Sequence, residues 1–331
     1  MKPLRFGIVG TGNIAHRFAR AIALVPDASL TAVASRTKEK AEAFKEEFSI
    51  PQCFDSYEAM AASDAIDVAY IAVPHGHHKE CSILMMEHGK HVLCEKPMAV
   101  NLKEGLEMVR CAEKNRCFLM EAMWARFTPG TASLLQLVEE GTLGFLMGVE
   151  GDFCYALDPS QYDHHVMKVE NGGGSLLDVG IYGLNFAMWH LGKKIEKIEA
   201  TAETYNGVDS HMQMTLSFAN NKVAKLSSAI LVDKPNVGIV RGTHGYAKVK
   251  RFYAPEEIEI FLNNGTHEVI PTPYIGNGFE NQIQHVCDCI HQGLLKSPVM
   301  STEHSLYILN QMDTIREMTN IHYPQDDEVS R

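Results

Sequence analysis

The chain has 331 residues, 45% of them hydrophobic and 21% charged, and a formal net charge of −11 at neutral pH. That supplies apolar material for two cores in roughly two domains. The acidic balance excludes a nucleic-acid groove, which needs a basic face, and argues against binding at an anionic membrane surface. No apolar run reaches the length of a membrane span, and the start Met1-Lys2-Pro3-Leu4-Arg5 lacks a secretory layout. Eight cysteines lie scattered, and Cys287-x-Cys289 has the wrong spacing for zinc. These features predict reduced thiols and a cytoplasmic location.

Leu4–Val9 reads as a short apolar strand, followed by Gly10-Thr11-Gly12-Asn13-Ile14-Ala15 and a helical pattern through Phe18, Ile22 and Leu24. Strand, glycine turn and helix in this order form the context of a dinucleotide cradle. Gly10 permits the tight turn, Gly12 lets the backbone approach a pyrophosphate, and Ala15 keeps the helix close to the sheet. Asn13 and Ile14 open the helix whose N-terminus attracts phosphates. The second strand, Leu30–Ala34, ends in Ser35-Arg36-Thr37-Lys38 rather than in the acid that holds an NAD ribose. A hydroxyl and a guanidinium suit a 2′-phosphate, so Ser35 and Arg36 favour NADP, with NAD possible. Lys38 begins the polar face of the next helix, 38–48.

Ile66–Val73 is the next strand, closed by Pro74-His75-Gly76-His77-His78. With no carboxylate or thiolate at ligand spacing, the three histidines predict no metal. Pro74, His75 and His78 are expected instead in a cofactor loop on the nicotinamide side. A helix over 79–88 leads to a strand from His91 that stops at Glu95-Lys96-Pro97. Proline lacks an N–H and ends regular pairing, which leaves Lys96 at the sheet edge where open α/β sheets place ligands. A helix over 102–115 and a strand over 117–120 follow, and the domain junction is placed in Glu121–Pro129. Trp124 and Phe127 there suit either stacking on a ring substrate or junction packing. The predicted division is 1–122, a parallel sheet covered by helices, and 123–331, an α+β domain.

In the second half, alternating runs at 145–155, 195–205, 212–219, 223–232 and 247–252 predict a largely antiparallel open sheet. Asn206-Gly207 and Asn220-Asn221 mark turns within it. One helix, 174–191, interrupts the pattern and carries Asp178, Tyr182 and Asn185 at i, i+4 and i+7, a spacing that predicts one shared face. The segment 156–173, with Asp158, Tyr162, His164 and His165, is long and polar, as lids and specificity loops are.

Taken together, the Gly10-x-Gly12-x-x-Ala15 turn, the Pro74–His78 loop, Glu95-Lys96-Pro97 and Asp178-x-Gly180-x-Tyr182 resemble the Gfo/Idh/MocA oxidoreductase family across essentially the whole chain. Leu93–Asn101, Met120–Phe127, Leu177–Tyr182 and Tyr323-Pro324-Gln325-Asp326 look most like its dimeric dihydrodiol dehydrogenase and NADP-dependent D-xylose dehydrogenase branch. Many sugar dehydrogenases of the wider family carry histidine and aspartate where this chain has Tyr182 and Asn185. The resemblance implies an N-terminal doubly wound Rossmann domain, a C-terminal substrate domain, and a homodimer through the outer face of the second sheet. It implies Lys96 and Tyr182 as the catalytic pair. Glu95, Lys96, Trp124 and Arg126 are implied around the cofactor, and Trp124, Phe153, Asp178 and Tyr182 around a sugar, polyol or dihydrodiol.

Oxidising a secondary alcohol sends a hydride to the nicotinamide and a proton to a base. A free tyrosine, with a pKa near 10, is a poor base until a nearby ammonium stabilises its phenolate. Tyr182 is therefore expected to be the general acid/base, assisted by Lys96, with Asp178 orienting the lysine or a substrate hydroxyl. Two other readings compete: a non-catalytic NADP-sensing regulator, and a hydrolase or epimerase that recycles a tightly held dinucleotide.

Overall fold

A computed structural model describes residues 2–161 and 163–327. Tyr162 therefore lies outside the described residues. The chain divides into two compact units, one made of Met1–Trp124 with Ile275–Leu309, the other of Ala125–Tyr274 with Asn310–Arg331.

The first unit is built on β1 (Leu4–Val9), β2 (Ala28–Ala34), β3 (Gln52–Phe54), β4 (Val68–Ile71), β5 (His91–Glu95) and β6 (Leu119–Ala122). Among the described residues these form one six-stranded sheet in the order β3-β2-β1-β4-β5-β6. Every neighbouring pair in it is parallel. This is the doubly wound order, and its direction reverses between β1 and β4, where a ligand crevice opens beyond the carboxyl ends. The strands β4, β5 and β6 read as apolar runs because a parallel sheet is covered on both faces: Val68–Ile71 and Val92–Glu95 are buried throughout. The covering helices are α1 (Asn13–Ile22), α2 (Lys38–Phe48), α3 (Tyr57–Ala61), α4 (His78–Glu87) and α5 (Leu102–Asn115). Asn101 caps α5, its side chain accepting the Glu104 N–H at 2.9 Å.

The second unit opens with α6 (Pro129–Glu139), which starts at Pro129 behind the Thr128 cap. Next come β7 (Leu146–Cys154), a π turn (Leu176–Gly180) running into α7 (Ile181–Leu191), β8 (Ile195–Tyr205) and β9 (Val208–Phe218). The remaining strands are β10 (Lys222–Ala229), β11 (Val237–Gly242), β12 (Gly245–Lys250), β13 (Glu257–Leu262) and β14 (His267–Pro271). They form an eight-stranded sheet ordered β14-β13-β12-β11-β7-β10-β9-β8, with every pair antiparallel except β7 and β10. The β8–β9 hairpin turns on Asn206 (φ 49°) and Gly207 (φ 82°), the left-handed pair that an Asn-Gly hairpin demands. One face of the sheet carries cross-strand ion pairs such as Arg241–Glu150 at 2.7 Å, and the α7 side is apolar. Among the described residues no helix is long and apolar enough to cross a membrane.

The units differ from the two consecutive segments, 1–122 and 123–331, read from the sequence. After Tyr274 the chain returns to the first unit, where α8 (Glu280–His291) packs on α1 and β2. The physical reason is an apolar stripe of Phe279, Ile283 and Val286, all fully buried, supported by Gln284 Nε2 donating to Asp27 at 2.9 Å. α9 (Thr302–Met318) then carries the chain from one unit into the other.

Candidate functional site

The glycine turn lies between β1 and α1. Gly10 adopts φ +101°, and a Cβ there would sit 2.6 Å from the Ala72 carbonyl oxygen, so no side chain fits between β1 and β4. Gly12 is the N-cap of α1; no side chain caps the helix, and a Cβ on Gly12 would meet nothing within 4 Å. The first-turn N–H groups of α1 thus face a space that a backbone-hugging anion can enter, with no acidic residue in that turn to repel it. Gly12 and Asn13 are exposed and Ile14 is half-buried. These features fit a dinucleotide.

Beyond the ends of β2 and β4 lies a cleft of about 410 Å³ lined by Arg36, Tyr57, Glu58, Val73, Pro74, His77, Glu80, Cys81 and Leu84. Arg36 and Pro74 are among its walls. Ser35 does not line it; it is buried at the end of β2, its N–H bonded to the Phe54 carbonyl at 3.2 Å. His77 lines the cleft, whereas His75 and His78 are buried. His78 places Nδ1 2.7 Å from the Pro97 carbonyl oxygen and Nε2 2.9 Å from that of Val73. Two carbonyls favour a doubly protonated ring, but burial prevails and pulls the pKa down to about 4. His78 thus ties the end of β4 to the segment after β5 and offers no surface to a ligand. Tyr57 escaped the sequence reading because it sits on α3, too short to show a period.

The segment after β5 is held by three buried carboxylates at alternate N–H groups. Lys96 N–H donates to Glu95 Oε2 at 3.2 Å, Met98 N–H to Glu121 Oε1 at 2.9 Å, and Val100 N–H to Glu104 Oε2 at 3.2 Å. Cys94 Sγ adds a contact to the Met98 carbonyl at 3.6 Å. Burial pushes Glu95 up to about 7, against the Tyr70 hydroxyl bonded to it and the Lys96 charge. Burial likewise raises Glu121, whose second oxygen accepts from Ser305 Oγ at 2.7 Å. Among residues 92–101 Lys96 alone is not buried, so a fixed backbone presents one ammonium at the carboxyl edge of the sheet. The Lys96–Pro97 bond is cis.

Trp124 takes the packing role that the sequence also allowed. It is 3% exposed, stacked on Phe279 at 5.1 Å with the Arg17 guanidinium 5.0 Å from its ring centre. It packs α8 onto the first unit. Arg126, expected at the cofactor, belongs to the second unit, where its guanidinium lies 5.7 Å from the centre of the Trp189 ring.

In the second unit the helix predicted over 174–191 begins as the π turn, not as α-helix. The wider π turn precedes the α-helical register at Gly180. Asn185 is fully buried, and its amide donates to the Ile181 carbonyl at 2.9 Å. A Cβ at Gly180 would sit 2.9 Å from Ser228 Oγ, so this glycine lets the turn press against β10. The turn is anchored by Asp209, which accepts Ser175 Oγ and Leu176 N–H, each at 2.6 Å; burial pushes this carboxyl up to about 6.

Asp178 and Tyr182 meet successive same-face residues of β7 and its extension. Tyr182 lies 5.3 Å from Phe153, ring centre to ring centre, and Asp178 Oδ2 accepts the Tyr155 hydroxyl at 2.7 Å. Phe153 is stacked on Tyr253 at 3.8 Å, and Tyr253 lies 5.8 Å from Tyr182. The result is an aromatic corner around a phenol, with a carboxylate beside it. Tyr155 and Tyr253 were missed by the sequence reading; the signal available was an aromatic residue closing the run 145–155 and another directly after the run 247–252. The later part of the segment 156–173 is held in place: Val166 and Met167 enter a core with Val179, Gly174 N–H bonds the Val166 carbonyl at 2.8 Å, and Gln325 bonds the Glu170 carbonyl at 2.9 Å.

Family comparison agrees with this architecture. Residues 4–123 match the model of the GFO/IDH/MocA oxidoreductase family with an NAD-binding Rossmann fold, and residues 131–248 match the GFO/IDH/MocA C-terminal domain. A trans-1,2-dihydrobenzene-1,2-diol dehydrogenase from Mus musculus is 34% identical over 98% of this chain and 99% of its own. Its counterpart from Homo sapiens is 32% identical over the same shares. Among solved structures, an aldose-aldose oxidoreductase from Caulobacter crescentus complexed with glycerol is similar at TM-score 0.87 and 26% identity, covering 96% of this chain and 98% of its own. A 3-ketoreductase from Actinomadura kijaniata shares the fold at TM-score 0.88 and 24% identity over the same shares. The chain therefore belongs to the GFO/IDH/MocA oxidoreductase family, with its NAD(P)-binding Rossmann domain joined to its C-terminal domain.

Proposed function

We propose that this chain is an NADP-dependent dehydrogenase that oxidises a secondary alcohol of a sugar, polyol or trans-dihydrodiol. The observation that carries the reading is the Lys96 presentation: one ammonium held at the carboxyl edge of a dinucleotide-binding sheet by a backbone that three carboxylates fix. The relatives named as dihydrodiol dehydrogenases and the glycerol-bound oxidoreductase support alcohols of this class. Gly10, Gly12 and the α1 N-terminus would hold the dinucleotide phosphates, and Arg36 the 2′-phosphate. Bound there, the nicotinamide supplies the hydride acceptor. Tyr182 takes the hydroxyl proton during oxidation and returns it during reduction, Lys96 supplies the cation that favours the phenolate, and Asp178 holds a substrate hydroxyl.

The test is the initial rate of NADPH formation against aldoses, inositols and trans-dihydrodiols, repeated with NAD and with Arg36→Ala. Turnover with at least one of these alcohols is expected. Arg36→Ala should raise the KM for NADP roughly ten- to a hundredfold and leave that for NAD nearly unchanged, as removal of charge-assisted phosphate contacts predicts. No turnover with any alcohol would defeat the reading.

A further inference from the structure

We propose that Tyr155 is a positioning residue for the reaction: its hydroxyl orients the Asp178 carboxylate toward a substrate hydroxyl. This rests on the reading of Asp178 as a substrate-binding group given above.

The geometry is specific. Tyr155 follows β7 and donates to Asp178 Oδ2 at 2.7 Å, the length of a charge-assisted bond. Burial and the adjacent carboxylate push the Tyr155 phenol far above its ordinary range. The shift keeps the phenol protonated, as a donor to the carboxylate. Two residues earlier on the same face of the strand, Phe153 faces the Tyr182 ring at 5.3 Å. The β7 segment thus supplies both neighbours: an aromatic one for the phenol and a hydrogen-bonding one for the carboxylate.

The need for such a tether follows from the π turn. Asp178 sits on Leu176–Gly180, where the backbone spacing departs from that of an α-helix. A carboxylate there has two soft torsions, and a fixed donor on one oxygen leaves the group a single useful orientation. The Tyr155 ring is itself immobilised. It packs against the cluster of Val166, Met167, Val179, Val208 and Ile230, in which Val179 is the next residue after Asp178. Ring and hydroxyl have separable jobs, so Tyr155→Phe removes the bond and keeps the packing.

Because Asp178 binds a hydroxyl in ground state and transition state alike, the loss should fall on KM more than on kcat. Tyr155→Phe is expected to raise the substrate KM about tenfold, to leave kcat within about threefold, and to hold the melting temperature within a few degrees. A double-mutant cycle with Asp178→Ala separates positioning from packing. If Tyr155 acts through Asp178, Tyr155→Phe costs nothing further once the carboxylate is gone. Unchanged KM in the single variant, or equal costs in both backgrounds, overturns the proposal. Wild-type enzyme without turnover on any alcohol would instead mark failure of the underlying reading, a distinguishable result.

Discussion

Replacing Tyr182 by phenylalanine is expected to lower kcat roughly a hundred- to ten-thousandfold, the usual contribution of a positioned acid/base group. The ring contacts survive the change, because the ring centres of Phe153 and Tyr253 lie 5.3 Å and 5.8 Å from that of residue 182 and a phenylalanine keeps the ring. Tyr182 is only 6% exposed, so the phenylalanine fills the same buried space. Stability should therefore move by no more than about 1 kcal/mol, as for a single lost hydrogen bond. The affinity for NADP, measured by fluorescence titration, should stay the same because its proposed contacts lie in the first unit. A fall in activity that tracks a fall in melting temperature would point to packing instead of proton transfer.

The second large effect concerns Glu121. Its carboxylate accepts Met98 N–H at 2.9 Å and Ser305 Oγ at 2.7 Å, and all three groups are buried. Glu121→Ala leaves both donors unpaired and opens a cavity beside them. Each unpaired buried donor costs about 1–3 kcal/mol, so a loss of about 3 kcal/mol is expected. The segment that presents Lys96 loses its central tie, and a displacement of an ångström there would lower kcat roughly a hundredfold. The loss of stability should depend on pH. Burial raises the Glu121 pKa above that of an unfolded glutamate. Between the two values the folded chain binds more protons than the unfolded one, so this group's contribution falls as pH rises. The alanine variant lacks that slope, so its deficit measured by denaturant unfolding should be larger at acid than at neutral pH. A deficit that grows with pH would contradict the assignment.

Much of this was legible in the chain, and the reasons are local. The Gly10 and Gly12 turn declares itself because only glycine tolerates φ +101° against the Ala72 carbonyl. Asn206-Gly207 declares a hairpin for the same steric reason. The helix over 102–115 announces both ends through Asn101 and its amphipathic period. What stayed hidden depends on partners distant in sequence. No periodicity could place α8 on α1, because its stripe of Phe279, Ile283 and Val286 suits any apolar face. The π turn was invisible because its register is set by Asp209, more than 30 residues away in the chain, on Ser175 and Leu176. The place of His75 and His78 at the carboxyl end of a strand was legible, but the contact of His78 with Pro97 depends on a residue 19 positions away. The carboxylates behind Lys96 are single glutamates in three different elements, and only folding reveals that they bind alternate N–H groups.

The central claim is hydride removal from an alcohol carbon with net reduction of the cofactor. It is tested most directly by single turnover of the enzyme with NADP and a substrate deuterated at the carbinol carbon, with the nicotinamide product analysed by mass spectrometry. The account predicts one deuterium in each NADPH formed, in equal amount to the ketone or lactone released. Reduced cofactor without deuterium, or substrate conversion with no net reduced cofactor, would contradict it.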